Sequence, residues 1–322
     1  MSSILSEPHF HSEEAAFAFV EAWLWPTGPV CPFCGATSEH IGSLAGVRSK
    51  PSKRNPEGKV CVGLRKCYAC RKQFTVRVGT VFESSHAPLR IWLQAIYLLC
   101  SSKKGISTRQ LQRTLRVGMK TAWFLGMRIR EAMKPSGRPT PMGGFGGYVE
   151  VDETYIGRKA DMPADKRGSS TKNAVVALVE RGGRVKSLYM PMLRKRDMHE
   201  VIRHFVAPSA HLRTDESVLY PGIESSVKSH ATVNHSKDEY RRGDASTNTV
   251  EGVFSIFKRG MIGVYQHCET QHLQRYLHEF DFRQNTRARL GFDDEMRTQE
   301  ALKGARGKRL TYETTRKQAN PS

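Results

Sequence analysis

Two pairs of cysteines near the N-terminus constrain the fold of this chain more than any other feature of its sequence. The motifs Cys31-Pro-Phe-Cys34 and Cys67-Tyr-Ala-Cys70 are separated by 32 residues. Each pair can present two thiolates to one metal ion at about 2.3 Å, and four such ligands complete a tetrahedral structural zinc site. We therefore predict a zinc ribbon that binds one Zn²⁺ through all four cysteines and contains a β-hairpin with an inserted loop.

The remaining cysteines are predicted to have other roles. The chain contains seven cysteines, five of them clustered near the N-terminus, and in a reducing compartment such clustering favours metal binding over disulfides. Four buried or redox-active cysteines are the alternative interpretation, which the pairing within a basic region disfavours. Cys61 lies outside both pairs and is given little weight as a ligand, and Cys100 and Cys268 are predicted to be core residues.

Positive charge is concentrated in one part of the chain. The formal net charge is +20, and residues 48–138 hold 21 Lys and Arg against three acids, a net charge of +18 in that segment. A polyanion is the obvious partner for such a segment, and a solvated basic face without a partner is the alternative. We expect the segment to bind nucleic acid.

The sequence carries no signal for a membrane. No stretch reaches the 18 or more apolar residues of a membrane span, and the start of the chain lacks the pattern of a signal peptide. We therefore expect a soluble, cytoplasmic protein without a membrane partner.

Helical patterns fill the region between residues 88 and 134. Three apolar-periodic segments are broken at Lys104-Gly105 and Val117-Gly118, which predicts three helices with a tight turn before the third and thus a helix-turn-helix. In the third helix Lys120, Thr121 and Arg128 are the predicted DNA contacts. A plain three-helix packing unit is the alternative interpretation.

A linker rich in proline and glycine then separates this region from a segment with strand patterns. Alternating or buried apolar runs predict strands at 148–157, 174–179, 185–192, 211–214 and 232–234, with helices at 196–205 and 248–259. This order predicts a mixed sheet covered by helices, an α/β domain. The predicted domains are an N-terminal helix (1–30), the zinc ribbon (31–79), the helix-turn-helix (80–134), the linker (135–147), the α/β domain (148–290) and a basic, partly disordered tail (291–322).

Three carboxylates are placed on separate elements of the α/β domain. Asp152 lies inside the first strand, Asp215 follows a short strand, and Glu251 lies on a helix with Lys258 seven residues later on the same face. A carboxylate within a strand costs free energy unless something positive meets it. Three carboxylates can bind two Mg²⁺ ions about 4 Å apart, with Mn²⁺ as an alternative, for work on a phosphodiester. For any one of these acids alone, a surface charge or a strand-end cap is the simpler interpretation.

Long blocks of this sequence resemble a known family. The blocks include CPFCG, CYACRKQFTVRVGTVFESSHAPLRIWLQAIYLL, YVEVDETYIG, NHSKDEY and RGDASTNTVEGVFSIFKRGMIGVYQH. From Cys31 to about Arg287 the chain is similar to the bacterial insertion-sequence transposases that combine a zinc ribbon with a DDE catalytic domain of the ribonuclease H and integrase type.

The resemblance implies roles for individual residues. Asp152 and Asp215 are then the first two metal-binding carboxylates and Glu251 the third. Similar proteins vary at the third position, where Asn can replace Glu, so Asn248 is the reserve candidate. Lys258 is then the basic residue that approaches DNA phosphates, and the neighbouring Arg259 is a further expected DNA contact.

The implied function is transposition. An active enzyme would bind double-stranded DNA at the terminal inverted repeats of its element, cut it, and join it to target DNA, acting near the bacterial nucleoid as a homo-oligomer of at least two copies. A DNA-binding descendant without catalytic activity and a structure-selective nuclease are the two alternatives. The presence of Asp152, Asp215, Glu251 and Lys258 disfavours the first of these, and the zinc ribbon and helix-turn-helix disfavour the second.

Overall fold

The chain forms two compact units in a computed structural model that describes residues 3–53, 55–159, 162–163, 165–233 and 246–311. Unit 1 contains the residues up to Ser101, the segment Thr108–Met133, and the described residues from Thr298 onward; unit 2 contains Ser102–Ser107 and Lys134–Arg297. None of the helices in the described residues is long and apolar enough to cross a membrane.

Unit 1 begins with a helix that packs beside a small sheet. Helix α1 (Glu13–Leu24) starts at Ser12, whose hydroxyl accepts a hydrogen bond from the Ala15 N–H at 3.2 Å. Strands β1 (Ile41–Ser43), β2 (Arg65–Cys67) and β3 (Gln73–Phe74) form an antiparallel sheet in that order. The insertion between the cysteine pairs therefore contributes one strand of the sheet on each side of its loop.

Three helices follow the sheet in unit 1. They are α2 (Leu89–Ser101), α3 (Thr108–Leu115) and α4 (Met119–Met133). A three-residue turn joins α3 to α4, and each helix packs against the other two. The predicted positions of all three helices are thus confirmed. The inward face of α2 is fully apolar and includes Trp92, Leu93, Ile96 and Leu99, each at most 1% exposed.

The described part of the predicted tail contains a helix. Helix α8 (Asp294–Lys303) forms within it, and Ala301 and Leu302 are buried. Beyond the helix, Ala305 accepts a hydrogen bond from the Val81 N–H at 3.1 Å, and the Gly307 N–H donates to Gly79 at 2.8 Å. These contacts join residues 305–307 to unit 1. Residues 312–322 lie outside the described residues.

Unit 2 is built on a five-stranded mixed sheet. Its strands are β4 (Tyr148–Ile156), β5 (Asn173–Glu180), β6 (Val185–Met190), β7 (His211–Asp215) and β8 (Ser229–Val233). The strand order is β6-β5-β4-β7-β8, with antiparallel pairing from β6 to β4 and parallel pairing from β4 to β8. The predicted mixed sheet is confirmed. Asn234, predicted to end the last strand, lies outside the described residues, as does the NHSKDEY block.

Three further helices belong to unit 2, namely α5 (Lys195–Phe205), α6 (Asn248–Gly260) and α7 (Leu273–Asn285). Val149 and Val151 of β4 enter one apolar core together with Met198 and Ile202 of α5. Because side chains alternate along a strand, Glu150 and Asp152 point to the opposite face. Helix α6 packs against β4 and β5, on the face of the sheet to which Glu150 and Asp152 point.

Candidate metal centres

The four paired cysteines converge in unit 1. The sulfur atoms of Cys31 and Cys70 are 3.6 Å apart, as are those of Cys34 and Cys67. All four sulfur atoms lie within 4.8 Å of one another. A tetrahedron with Zn–S bonds of 2.3 Å has edges of about 3.8 Å, so the arrangement fits one zinc ion.

Tight backbone turns hold each cysteine pair. The Gly35 N–H donates to the Cys31 carbonyl at 3.0 Å, and the Cys67 N–H donates to the Lys72 carbonyl at 3.0 Å. Gly35 and Arg71 both have positive φ, at 76° and 61°. Phe74 is buried with the cysteines, and the ring of Trp25 packs edge-on against it at 5.9 Å. The site therefore has a hydrophobic support of its own.

Within the first pair, the surroundings favour a thiolate at Cys31 and a protonated thiol at Cys34, whose pKa is raised to about 12. Burial raises the pKa of the Cys31 thiol, but backbone hydrogen bonds from Phe33 and Cys34, together with side-chain hydrogen bonds to Cys34 and Cys70, lower it to about 7. A thiolate is the form that binds a metal. Cys61 is outside this group, Cys100 is buried as predicted, and Cys268 is half-buried, which corrects its prediction as a core residue.

The second cluster consists of carboxylates on β4 and at the carboxyl end of β7, two interior strands of the unit 2 sheet. Glu150 of β4 is the register partner of Arg213 in the parallel strand β7. Asp215, which ends β7 two residues after Arg213, therefore lies beside Asp152. Carboxylate oxygens of Asp152, Glu153 and Asp215 lie within 4.8 Å of one another. Two of the three predicted carboxylates are thus brought together, and Glu153 joins them.

The electrostatics of this cluster call for a cation. Burial raises the pKa of Asp152 to about 7, with a further contribution from the charge of Asp215. A hydrogen bond from the Glu153 N–H, at 2.8 Å, acts in the opposite direction. The charges of Glu153 and Glu251 raise the pKa further. Like-charged, partly buried carboxylates can all ionise only when a positive charge shares their site.

Glu153 was not among the residues predicted for the site. Its carboxylate accepts hydrogen bonds from the Tyr220 hydroxyl at 2.8 Å and the Ser217 hydroxyl at 3.0 Å. Burial raises its pKa. Period-two alternation assigns Glu153 to the opposite face from Asp152, so the strand pattern gave no reason to select it. Its position directly after Asp152 was the one available signal.

The remaining predicted residues lie on the exposed face of α6. Asn248, Glu251 and Ser255 follow one another at intervals of three and four residues, and Lys258 continues the row. The Thr247 hydroxyl donates to the Glu251 carboxylate at 2.7 Å. Glu251 acts electrostatically on Asp152 but is outside the group of three oxygens within 4.8 Å. Arg259 is also exposed and donates to the Ser255 carbonyl at 3.2 Å.

In the three-helix region, one predicted DNA contact is in the interior. Lys120 is exposed and Thr121 is half-buried, but Arg128 is only 2% exposed. The Arg128 guanidinium donates to three backbone carbonyls, those of Glu83 at 2.6 Å, Val81 at 2.7 Å and Leu310 at 3.1 Å. The prediction that Arg128 faces DNA is therefore wrong.

An exposed basic row lies instead on α3 and the turn after it. Leu111 and Leu115 bury one side of this helix, while Arg109, Arg113 and Arg116 are exposed. Arg109 and Arg113 are four residues apart and share one face of α3, and Arg116 follows in the turn after the helix. The sequence signal for this row is the spacing of Arg109 and Arg113 opposite Leu111 and Leu115.

Comparison with known protein families gives two matches along the chain. Residues 11–73 match the family described as a transposase zinc-ribbon domain. Residues 144–285 match the family described as an ISXO2-like transposase domain. Both families belong to the IS1595 group of transposases. The first match contains all four zinc-site cysteines, and the second contains the carboxylate cluster.

Among curated proteins, the chain is similar to one described as an uncharacterized protein in transposable element ISH50 of Halobacterium salinarum. The two are 28% identical over 293 residues, which cover 85% of this chain and 91% of the relative.

Two solved structures align at low similarity. One is a simian T-cell lymphotropic virus intasome in complex with PP2A regulatory subunit B56 gamma, at 14% identity, 52% coverage of this chain, 63% of the other, and a TM-score of 0.28. The other is a pre-cleavage Mos1 transpososome, at 10% identity, 66% and 78% coverage, and a TM-score of 0.21. These TM-scores are too low to support an argument about the fold.

Proposed function

We propose that the chain is an insertion-sequence transposase with an N-terminal zinc ribbon, and that it cuts and joins DNA at its element ends with two divalent metal ions bound at the carboxylate cluster of unit 2. In this proposal unit 2 is a ribonuclease H-like domain of the DDE type. Asp152 and Asp215 are the central ligands, and Glu251 completes the set from α6.

The observation that carries the proposal is the convergence of Asp152, Glu153 and Asp215, whose carboxylate oxygens lie within 4.8 Å of one another. Desolvation and the charges of Asp215, Glu153 and Glu251 disfavour the ionised form of Asp152, and a bound cation would offset both effects. Mg²⁺ binds to a few carboxylates and fills its remaining positions with water or phosphate oxygens. The carboxylates of this cluster fit that preference.

The proposed reaction consists of two successive displacements at phosphorus. A water oxygen attacks the phosphodiester at the element end, the bond from phosphorus to the 3′ oxygen breaks, and that oxygen leaves as a 3′-hydroxyl. The 3′-hydroxyl then attacks a phosphodiester of target DNA and displaces the target's own 3′ oxygen. Bound metal ions would lower the pKa of the attacking oxygen and stabilise the charge on the leaving oxygen.

Side chains around the carboxylates have supporting roles in this proposal. Glu153, held by Tyr220 and Ser217, fixes the backbone at Asp152, to which its N–H donates. Lys258 and Arg259, exposed in the last turn of α6, contact DNA phosphates. Asn248 is the alternative third ligand, because it lies one turn before Glu251 on the same face.

DNA binding by unit 1 is part of the same proposal. The exposed row of Arg109, Arg113 and Arg116 continues to Lys120 at the start of α4, and a helix N-terminus with basic neighbours suits DNA. We assign the helix-turn-helix role to α3 and α4 on this basis. Two element ends must be brought together for joining, so the active form contains at least two copies of the chain.

The test is metal-dependent cleavage of element-end DNA, measured beside a gel-shift assay. Asp152→Asn, Asp215→Asn and Glu251→Gln should each reduce cleavage at least a hundredfold while leaving DNA affinity nearly unchanged, because each removes a metal ligand and not a phosphate contact. Glu200→Gln, an exposed carboxylate on α5 of the same unit, is the matched control and should cleave at the wild-type rate. Wild-type cleavage by Asp152→Asn or Asp215→Asn would overturn the proposal. Wild-type cleavage by Glu251→Gln alone would move the third ligand to Asn248.

A further inference from the structure

Glu150 is a fully buried carboxylate on β4, and the mechanism above gives it no role. It lies two residues before Asp152 on the same face of the strand, and its side chain is 0% exposed. A buried carboxylate costs free energy unless charges and hydrogen bonds satisfy it. Its partners therefore indicate what holds it there.

All of the partners of Glu150 connect β4 to α6. The carboxylate accepts hydrogen bonds from the Thr249 N–H at 2.9 Å, the Val250 N–H at 3.1 Å and the Thr249 hydroxyl at 3.0 Å. The Arg181 guanidinium donates to it at 2.8 Å and also donates to the backbone carbonyl and hydroxyl of Ser246. The first turn of α6 and the residue leading into it are thus tied to one carboxylate on β4.

This arrangement replaces the usual cap of a helix. The first backbone N–H groups of a helix have no partner within it, and a side chain just before the helix normally accepts from them. Thr247 occupies that position, but its side chain makes no capping hydrogen bond and donates instead to Glu251. A carboxylate also interacts favourably with the positive end of the helix dipole. The cap of α6 therefore comes from the strand that carries Asp152.

We propose that Glu150 is a positioning residue that sets the distance between Asp152 and Glu251 and thereby the geometry of the divalent-cation site. Val250, which donates to Glu150, directly precedes Glu251, and Glu150 is two residues from Asp152. The Glu150 side chain thus connects β4 to α6 at points no more than two residues from Asp152 and from Glu251. The proposal rests on the function proposed above.

A purely structural role is the competing explanation, and unit 2 contains a matched case for comparison. Asp281 of α7 is 3% exposed and accepts from the Ser187 N–H at 2.7 Å and the Ser187 hydroxyl at 2.6 Å. Like Glu150, it is a buried carboxylate that joins a helix to a strand through a backbone N–H and a hydroxyl. Asp281 contacts β6, which is the outermost strand on the side of the sheet away from β7 and β8. Asp281→Asn is therefore the control for general loss of stability.

The experiment measures Mn²⁺ binding by titration calorimetry on the full-length protein without DNA, together with its melting temperature. Residues that hold metal ligands in position typically affect metal affinity by about ten- to a hundredfold, so Glu150→Gln should weaken Mn²⁺ binding at least about tenfold. Hydrogen exchange of the Thr249 and Val250 amides should become faster in the same variant. Asp281→Asn should lower the melting temperature but leave Mn²⁺ affinity within about twofold of wild type.

A second variant keeps the proposal testable if Glu150→Gln fails to fold. Thr249 is an exposed residue. Thr249→Val removes its hydroxyl donor while the ion pair between Glu150 and Arg181 remains. We expect a weakening of Mn²⁺ binding of about threefold, as befits one lost hydrogen bond. Thr249→Ser keeps the hydroxyl and should bind like wild type.

The outcomes separate this inference from the proposed function. If Glu251→Gln loses Mn²⁺ affinity while Glu150→Gln and Thr249→Val bind like Asp281→Asn, the positioning role is overturned and the proposed ligand set stands. If Glu251→Gln binds Mn²⁺ like wild type, the third ligand of the proposed function is wrong. Weakening in Glu150→Gln and Glu251→Gln together, with Asp281→Asn unaffected, supports both.

Discussion

Asp281 is a carboxylate held inside unit 2 with its hydrogen bonds supplied by one residue. Ser187 of β6 donates to it through both its backbone N–H and its hydroxyl. Burial raises the pKa of Asp281 to about 7, while the Ser187 hydrogen bonds and the charge of Lys186 act in the opposite direction. The folded protein therefore takes up a proton at a pH where the unfolded chain does not.

This pKa predicts that Asp281 makes a pH-dependent contribution to the free energy of unfolding, which Asp281→Asn should remove. A carboxyl whose pKa is raised from 3.8 in the unfolded chain to about 7 stabilises the fold most below pH 3.8, and that contribution is lost as the pH rises through about 7. The free energy of unfolding of the wild type, relative to Asp281→Asn, should therefore fall by roughly 2 kcal/mol between pH 5 and pH 8. Urea unfolding of the full-length protein at both pH values measures it. A difference that stays constant with pH would mean that the Asp281 pKa is ordinary.

Arg128 gives a second residue-level prediction. Replacement by Met would leave the carbonyls of Val81, Glu83 and Leu310 without their donor in the interior of unit 1. We expect a loss of about 3–5 kcal/mol in the free energy of unfolding, since each unsatisfied buried acceptor costs about 1–3 kcal/mol. Chemical denaturation followed by circular dichroism checks this. A variant of normal stability that binds DNA poorly would return Arg128 to the DNA-contacting set.

The positions of single residues were predictable only where local sequence decides them. The alternation of YVEVDETYIG placed Asp152 inside a strand, and helical spacing placed Glu251 and Lys258 on one face. Arg128 is different because its acceptors lie in two distant segments, around residues 81–83 and at residue 310. A pattern of period 3.6 identifies the face of a helix but gives no information about carbonyls that reach it from elsewhere.

Among the helices and strands, α7 covers the β6 edge of the sheet. β6 is the outermost strand, and its outward N–H groups need acceptors. Asn285 accepts from the Val185 N–H at 2.6 Å, Asp281 accepts from the Ser187 N–H, and Gln274 accepts from the Tyr189 N–H at 2.8 Å. A helix covering the edge prevents pairing with another chain. The polar residues on α7 were visible in the sequence, but their acceptor role depends on a strand almost 100 residues away.

The zinc ribbon is the element whose integrity depends on a metal. Cys34→Ser removes one of four ligands, so bound zinc should fall from one ion per chain to near zero, because metal binding at such sites is coupled to local folding. Zinc analysis by mass spectrometry, with hydrogen exchange across residues 31–74, measures both effects. Cys61→Ser, which changes a cysteine outside the group, should retain its zinc. Equal zinc loss in both variants would contradict the assigned ligand set.

The basic row on α3 yields a prediction about DNA affinity. Arg113→Ala removes one exposed charge from that row, so a plot of log affinity against log salt concentration should become shallower by about 0.9 if Arg113 contacts one phosphate. Fluorescence anisotropy with element-end DNA at several salt concentrations measures the slope. Arg196→Ala, at an exposed arginine of α5, should leave the slope unchanged. An unchanged slope for Arg113→Ala would assign the phosphate contacts to other residues.

At the scale of the whole molecule, the order of ribbon, helices and sheet followed from changes in sequence pattern along the chain. The return of the C-terminal segment to unit 1 did not. Helix α8 buries few large apolar residues, and the segment after it is hydrogen-bonded to residues 79–81, more than 200 positions earlier in the chain. Linear domain boundaries could not represent this, because a unit assembled from the two ends of a chain has no continuous range.

That return determines when unit 1 can be completed during protein synthesis. A ribosome releases the chain from its N-terminus, and domains generally fold in the order in which they emerge. The hydrogen bonds at Ala305 and Gly307 and the Leu310 carbonyl that Arg128 contacts become available only after unit 2 has been translated. Unit 1 therefore begins to emerge before unit 2 but is completed after it, and a chain interrupted before residue 305 would carry the basic helices on an incomplete core.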